Sequence, residues 1–127
     1  MRKLLIVDDS SDLRDAIQRL LSFYDFIVHT ATDSKTLFDQ FELFKPEIVI
    51  IDVLLNGEDG RQICKDIREN PLNKEITIIL FSASPKHLIN FQEYGADATI
   101  EKPFGIKELI EKIDTAIQSR RKYLDNN

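Results

Sequence analysis

The 127-residue chain holds one cysteine, Cys64, and no tryptophan. A single thiol excludes a disulfide framework and any zinc site built on several cysteines. Glycine and proline number four each, too few for a collagen-like or low-complexity chain. No apolar run approaches the roughly 20 residues that a membrane-spanning helix needs. Positive charge is also in deficit, since 17 basic against 22 acidic side chains leave a formal net charge of −5. That sign argues against non-specific binding to nucleic acid or anionic lipid. At the N-terminus, Met1-Arg2-Lys3 and the apolar Leu4–Val7 run into Asp8 and Asp9 too soon for a signal peptide. The expectation is a cytoplasmic protein that neither enters a membrane nor contacts nucleic acid directly. What remains, 43% hydrophobic and 31% charged, is ordinary for a globular chain of one domain's length.

Short apolar runs alternate with longer amphipathic stretches along the chain. The runs are Leu4–Val7, Phe26–Val28, Ile48–Ile51, Ile76–Phe81 and a weaker Ala98–Ile100. Four of them are continuous rather than alternating, as parallel strands covered on both faces require. Between them, Leu13, Ala16, Ile17, Leu20, Leu21 and Tyr24 recur with helical spacing. Ile106, Leu109, Ile110, Ile113, Ala116 and Ile117 do the same near the C-terminus. Leu37, Phe38 and Phe41 mark a shorter helix, as do Ile63, Cys64 and Ile67, with Cys64 expected in the core. Ser84-Pro85 reads as a helix cap followed by proline at the first position, opening a helix to about Tyr94 that Gly95 stops. Five β-α repeats with right-handed crossovers predict a doubly wound α/β fold around a five-stranded parallel sheet.

In such a sheet, chemistry sits beyond the carboxyl ends of the strands. Asp8 and Asp9 follow the first run, Asp52 the third, Ser82 and Ser84 the fourth, and Glu101, Lys102 and Pro103 the fifth. The second is followed only by Thr30 and Thr32. Three converging carboxylates need a counter-charge, and an all-oxygen ligand set suits Mg²⁺. A carboxylate can accept a phosphoryl group covalently, while Lys102 and Ser82 would neutralise and hydrogen-bond its oxygens. The pattern reads as phosphoryl capture on an aspartate. Arg120-Arg121-Lys122 reads as cations in a last helical turn, and His29 and His87 as surface or edge residues.

The strings Leu-Ile-Val-Asp-Asp at 5–9, Ile-Val-Ile-Ile-Asp ending at Asp52, Gly57-Glu58-Asp59-Gly60, Leu80-Phe81-Ser82-Ala83 and Gly95-Ala96-Asp97 leading into Lys102-Pro103-Phe104 fall in order at these ends. With them the chain resembles the CheY-like receiver domain of two-component response regulators. The resemblance implies one receiver domain over 1–127, with its core at about 3–119. It also implies the flavodoxin-like strand order 2-1-3-4-5, of which CheY is itself the stock example. It assigns Asp52 as phosphoacceptor, and Asp8, Asp9, Asp52 and the backbone carbonyl of Leu54 as holders of Mg²⁺. Ser82 corresponds to the family's switch hydroxyl and Lys102 to its lysine, with the Lys102–Pro103 peptide cis. The implied partners are a histidine kinase or histidine phosphotransfer protein upstream, and an unknown downstream protein reading the fourth helix, fifth strand and fifth helix. The only catalysis implied is the domain's own phosphotransfer and dephosphorylation.

The chain departs from the family at Thr99, where an aromatic is usual, so Thr99 and Ser82 together make an altered switch. Asn56 stands where proline is common. Ala98 replaces an acidic residue frequent in members that dimerise, which implies a monomer or a weak dimer. Two other readings compete. An aspartate-dependent phosphatase of the haloacid-dehalogenase type wants a second aspartate where this chain has Leu54. A flavodoxin-like flavin binder wants a phosphate loop that Asp8 and Asp9 would repel.

Overall fold

The computed structural model describes residues 1–127. Five strands form one parallel sheet: β1 (Arg2–Val7), β2 (Phe26–Ala31), β3 (Ile48–Asp52), β4 (Thr77–Ser82) and β5 (Ala98–Glu101). Their spatial order is β2-β1-β3-β4-β5, the order the resemblance implies. The helices are α1 (Ser11–Leu21), α2 (Ser34–Phe44), α3 (Gly60–Glu69) and α4 (Ile106–Asp125). The continuous apolar runs are central because both sheet faces are covered. Leu5, Val7, Val49, Ile51, Ile78 and Leu80 pack against α2 and α3 through Leu37, Phe44, Ile63, Cys64 and Ile67. Leu4, Ile6, Ile48, Ile50, Ile79 and Phe81 point the other way, against Ile17 and Leu21 of α1 and Leu109, Ile113 and Ala116 of α4.

Local signals explain most helix starts. Ser10 caps α1 by accepting from the Leu13 amide at 3.3 Å. Asp33 and Thr36 form a reciprocal capping box at α2. Asp59 caps α3 through the Arg61 amide at 2.9 Å. The apolar stripe of α1 runs past its end, and Tyr24 falls in a 3₁₀ turn at Ser22–Tyr24 instead of the helix.

One expected element is replaced. Residues 84–94 do not form a helix; they make two 3₁₀ turns, Pro85–Leu88 and Phe91–Tyr94. Ile89 is extended and Asn90 sits in the left-handed region at φ 60°, which ends any helix between them. The apolar residues give the reason. Leu88, Phe91 and Tyr94 are three apart, all pack on the α2–α3 side of the sheet, and match a three-residue turn better than a 3.6-residue one. Ser84 accordingly occupies the cap position without capping, since its side chain accepts no backbone bond there. Gly95, at φ 89°, does close the second turn.

Between β3 and α3 lies a feature the periodicity did not announce. Leu54–Leu55 and Glu58–Asp59 pair antiparallel in a small hairpin turned by Asn56 and Gly57, with Gly57 at φ 73°. Asn56 thus fills a turn position. Glu58 ties this hairpin to the start of α2, accepting from the Ser34 amide at 3.0 Å and from its hydroxyl.

Candidate functional site

The sheet order places the ends of β1 and β3 side by side, with Val7 opposite Ile51 in register, so Asp8 and Asp52 meet at one edge. Both are buried, at 1% and 6% exposure, whereas the neighbouring Asp9 is exposed. One carboxylate oxygen from each of Asp8, Asp9 and Asp52 lies within 4.8 Å of the others. Lys102 reaches in from the loop after β5, and its Nζ donates to Asp8 Oδ2 at 2.9 Å and to Asp52 Oδ2 at 3.0 Å. Its ammonium also stands 4.5 Å from the Phe81 ring centroid. The Lys102–Pro103 peptide is cis, as the family resemblance implies.

Backbone groups hold the acids in place. Asp8 Oδ1 accepts from the Ser10 amide at 2.7 Å, and Asp52 Oδ1 from the Leu54 amide at 3.1 Å. Arg14, on the first turns of α1, donates from Nη1 to the Asp8 backbone carbonyl at 2.7 Å. Arg14 carried no motif signal; only the chain entering α1 brings it back beneath Asp8.

The electrostatics are those of acids crowded out of water. Burial pushes the Asp52 carboxyl above the usual carboxylate range and the Asp8 charge adds to it, against the pull of Lys102 and the Leu54 amide. Burial works against the Lys102 charge, but its hydrogen bonds to Asp8 and Asp52 hold its pKa above the ordinary lysine value.

Ser82 lies at the end of β4, fully buried, and its hydroxyl oxygen accepts from the Ser84 amide at 3.0 Å. The Lys102 amide donates to the Ser82 carbonyl at 2.9 Å, joining the loops after β4 and β5. Leu54 starts the hairpin beyond Asp52, its side chain 55% exposed. Thr99 is half-buried on β5, opposite Leu80 in register and three residues before Lys102. The structure therefore gathers Asp8, Asp9, Asp52 and Lys102 into one contact set, with Ser82 bonded to the backbone beside it and Thr99 further down its strand.

A model of the response regulator receiver domain family matches residues 4–114, nearly the whole fold and every residue just described. The chain belongs to the response regulator receiver domain family. Receiver domains are the phosphoacceptor modules of two-component signalling. Among solved structures, it is similar to a protein of Chloroflexus aurantiacus J-10-fl described as a response regulator, at 29% identity and TM-score 0.85, covering 92% of this chain and 98% of that one. It shares the fold of the chemotaxis response regulator CheY4 of Vibrio cholerae, at 24% identity and TM-score 0.83, covering 91% and 98%. NtrX of Brucella abortus, at 25% identity and TM-score 0.86, matches over 98% of this chain but only 29% of its own length. No helix of this receiver is long and apolar enough to cross a membrane.

A second buried ion cluster lies at the opposite edge of the sheet, and the sequence reading missed it. Arg120 is not a solvated cation of a last turn. It is 8% exposed, donates from Nε to the Lys74 carbonyl at 2.8 Å, and places Nη1 3.5 Å from Asp97 Oδ1. Arg68 donates to Asp97 Oδ2 at 2.8 Å and to the carbonyls of Gly95 and Asn73. The Ile78 amide completes Asp97 at 2.9 Å. Cys64 is fully buried, and burial pushes its thiol up to about 12. His29 stacks on Phe44, and His87 is half-buried with Nδ1 unpartnered.

Proposed function

We propose that this receiver takes a phosphoryl group on Asp52 from a histidine kinase or histidine phosphotransfer protein in a Mg²⁺-dependent reaction. The observation that carries the reading is the three-carboxylate cluster facing a single lysine. Asp8, Asp9 and Asp52 bring three negative charges to within 4.8 Å, and one ammonium, that of Lys102, bonds the carboxylates of only two of them, Asp8 and Asp52. Such a set fits a hard divalent cation, held by Asp8, Asp9 and Asp52 with the Leu54 carbonyl. When bound, Mg²⁺ supplies charge neutralisation of the incoming phosphoryl oxygens.

This chain's own residues perform the remaining steps. An Asp52 carboxylate oxygen attacks phosphorus, the phosphorus–nitrogen bond of the donor phosphohistidine breaks, and the imidazole leaves with the bonding pair. Lys102, already at Asp52 Oδ2, is placed to turn its ammonium to a phosphoryl oxygen. The Ser82 hydroxyl accepts one bond from the Ser84 amide and keeps its own proton to donate to a second phosphoryl oxygen. Ala83 is small and exposed, which leaves water a path to the aspartyl phosphate and makes the modification reversible. The reactions are the module's own phosphotransfer and dephosphorylation, within one receiver domain over 1–127.

The output surface is proposed on the face formed by the two 3₁₀ turns, β5 and α4. It differs from the surface expected from the sequence, because no fourth crossover helix exists to be read. Thr99 offers a short hydroxyl where an aromatic is usual, so the Ser82 shift is transmitted through backbone: Ser82 carbonyl to Lys102 amide, and β4 to β5.

The test is intact mass after incubation with acetyl phosphate and Mg²⁺. The expected result is one phosphoryl adduct on the natural chain, lost with EDTA and absent from Asp52→Ala. An adduct on Asp52→Ala, or none on either chain with Mg²⁺ bound, would refute the assignment.

A further inference from the structure

We propose that Gly60 is the residue that positions the Asp52 carboxyl against Asp8 and Asp9. Its consequence for phosphoryl transfer rests on the function just proposed, but its geometry stands alone. Gly60 begins α3, and a Cβ built on it would lie 2.0 Å from the Asp52 carbonyl oxygen, 2.8 Å from the Asp52 carbonyl carbon and 2.9 Å from Ile51 Cγ2. Gly60 does not use the left-handed backbone, so space alone demands the missing side chain. The other glycines differ. Gly57 and Gly105 face open space, and a Cβ on Gly95 would meet a side chain instead of backbone, Arg68 Cγ at 2.4 Å.

The close approach is locked from both sides. The Gly60 amide donates to the Val53 carbonyl at 2.8 Å, and the Val53 amide donates to the Phe81 carbonyl at 3.0 Å. Asp52 itself is in register with Phe81 of β4. On the other side, Ile63, Cys64 and Ile67 seat α3 in the core with exposures of 3%, 0% and 0%. A methyl group at 60 needs at least 3.0 Å from the Asp52 oxygen, so the two backbones must part by about 1 Å. Retreat of α3 opens a cavity in a close-packed core; the end of β3, which leads into a two-residue hairpin strand and not into a helix seated in the core, is the easier part to move. Moving it pulls Asp52 Oδ2 from Lys102 and Oδ1 from the Leu54 amide, and spreads the carboxylate cluster.

Gly60→Ala is compared with Gly95→Ala, which also strains the fold, through φ 89° and Arg68, but far from the acids. Both are measured in 1 M trimethylamine N-oxide to offset lost stability. The readouts are the Mg²⁺ dissociation constant from amide shifts and the rate of phosphoryl uptake from acetyl phosphate at saturating Mg²⁺. For Gly60→Ala we expect Mg²⁺ affinity to weaken about tenfold or more and uptake to slow at least as much. Gly95→Ala should stay within about twofold of the natural chain in both, at a comparable loss of melting temperature. Equal losses in the two variants, or no change in Gly60→Ala, overturn the proposal. So does a Gly60→Ala chain that stays unfolded while Gly95→Ala folds, because the contact is then a condition of folding. If the natural chain takes no phosphoryl group, the phosphoacceptor reading falls, and the Mg²⁺ comparison still decides the role of Gly60.

Discussion

The two edges of the sheet each bury a cluster of ions, and they are built on opposite plans. At the N-terminal edge one carboxylate, Asp97, meets two guanidinium groups, and its neighbours Ile78, Gly95, Asn73 and Lys74 complete the hydrogen bonds from the backbone. At the C-terminal edge three carboxylates cluster beside one ammonium that pairs with Asp8 and Asp52, and Asp9 stands exposed to solvent. The first cluster is closed: every charged group has its partners, and it fastens α3, α4 and the loop before β5 together. The second is left with surplus negative charge and unused oxygen lone pairs, a state that suits the cation and phosphoryl group proposed for it. Burial pushes both Asp52 and Asp97 above the usual carboxylate range, so a raised pKa alone does not tell a working acid from a structural one. Partner count does.

The largest expected effect on stability comes from breaking the closed cluster. Asp97→Ala leaves Arg68 and Arg120 buried without their acid, and should cost about 3–5 kcal/mol of unfolding free energy by denaturant titration. Its Mg²⁺ affinity should nonetheless stay near that of the natural chain. Loss of Mg²⁺ binding in a still-folded Asp97→Ala would erase the distinction between the edges.

Next in size is the gain from filling the open cluster. A ligand that binds only the folded state adds about 2.7 kcal/mol at a hundredfold excess over its dissociation constant. Mg²⁺ should therefore raise the melting temperature of the natural chain and not that of Asp8→Ala. Equal shifts in both would place the cation elsewhere.

Smallest is the prediction for Cys64, beside Arg68 on α3. With its thiol pushed up to about 12, the thiolate fraction at pH 8 is on the order of one in ten thousand. Ionisation requires pH to rise toward that value, so iodoacetamide at pH 8 should label the chain only after unfolding. Fast labelling of the folded chain would mean that α3 opens readily.

Much of this was legible in the sequence, for particular reasons. The apolar runs in β1, β3 and β4 are continuous, and each leads into a polar residue of the candidate site, so Asp8, Asp52 and Ser82 could be picked out by position. Lys102 followed from its place after the fifth run. The stretch at 84–94 misled because Ser84-Pro85 and Gly95 are helix punctuation, whereas Asn90 and the three-residue spacing of Leu88, Phe91 and Tyr94 set the conformation. Arg120 misled because its partner Asp97 is distant in the chain, and no local pattern joins them. Gly60 stood in a recognisable string, but the reason for it, the lack of room for any side chain against the Asp52 carbonyl, exists only in three dimensions.

The most direct test of the contrast between the edges is a Mg²⁺ titration followed by two-dimensional amide NMR. The account predicts shifts at Asp9, Val53, Leu54 and Ala83, with Ile78, Asp97 and Arg120 unmoved. Shifts centred on Asp97 and Arg120, or none at the carboxylate edge, would contradict it.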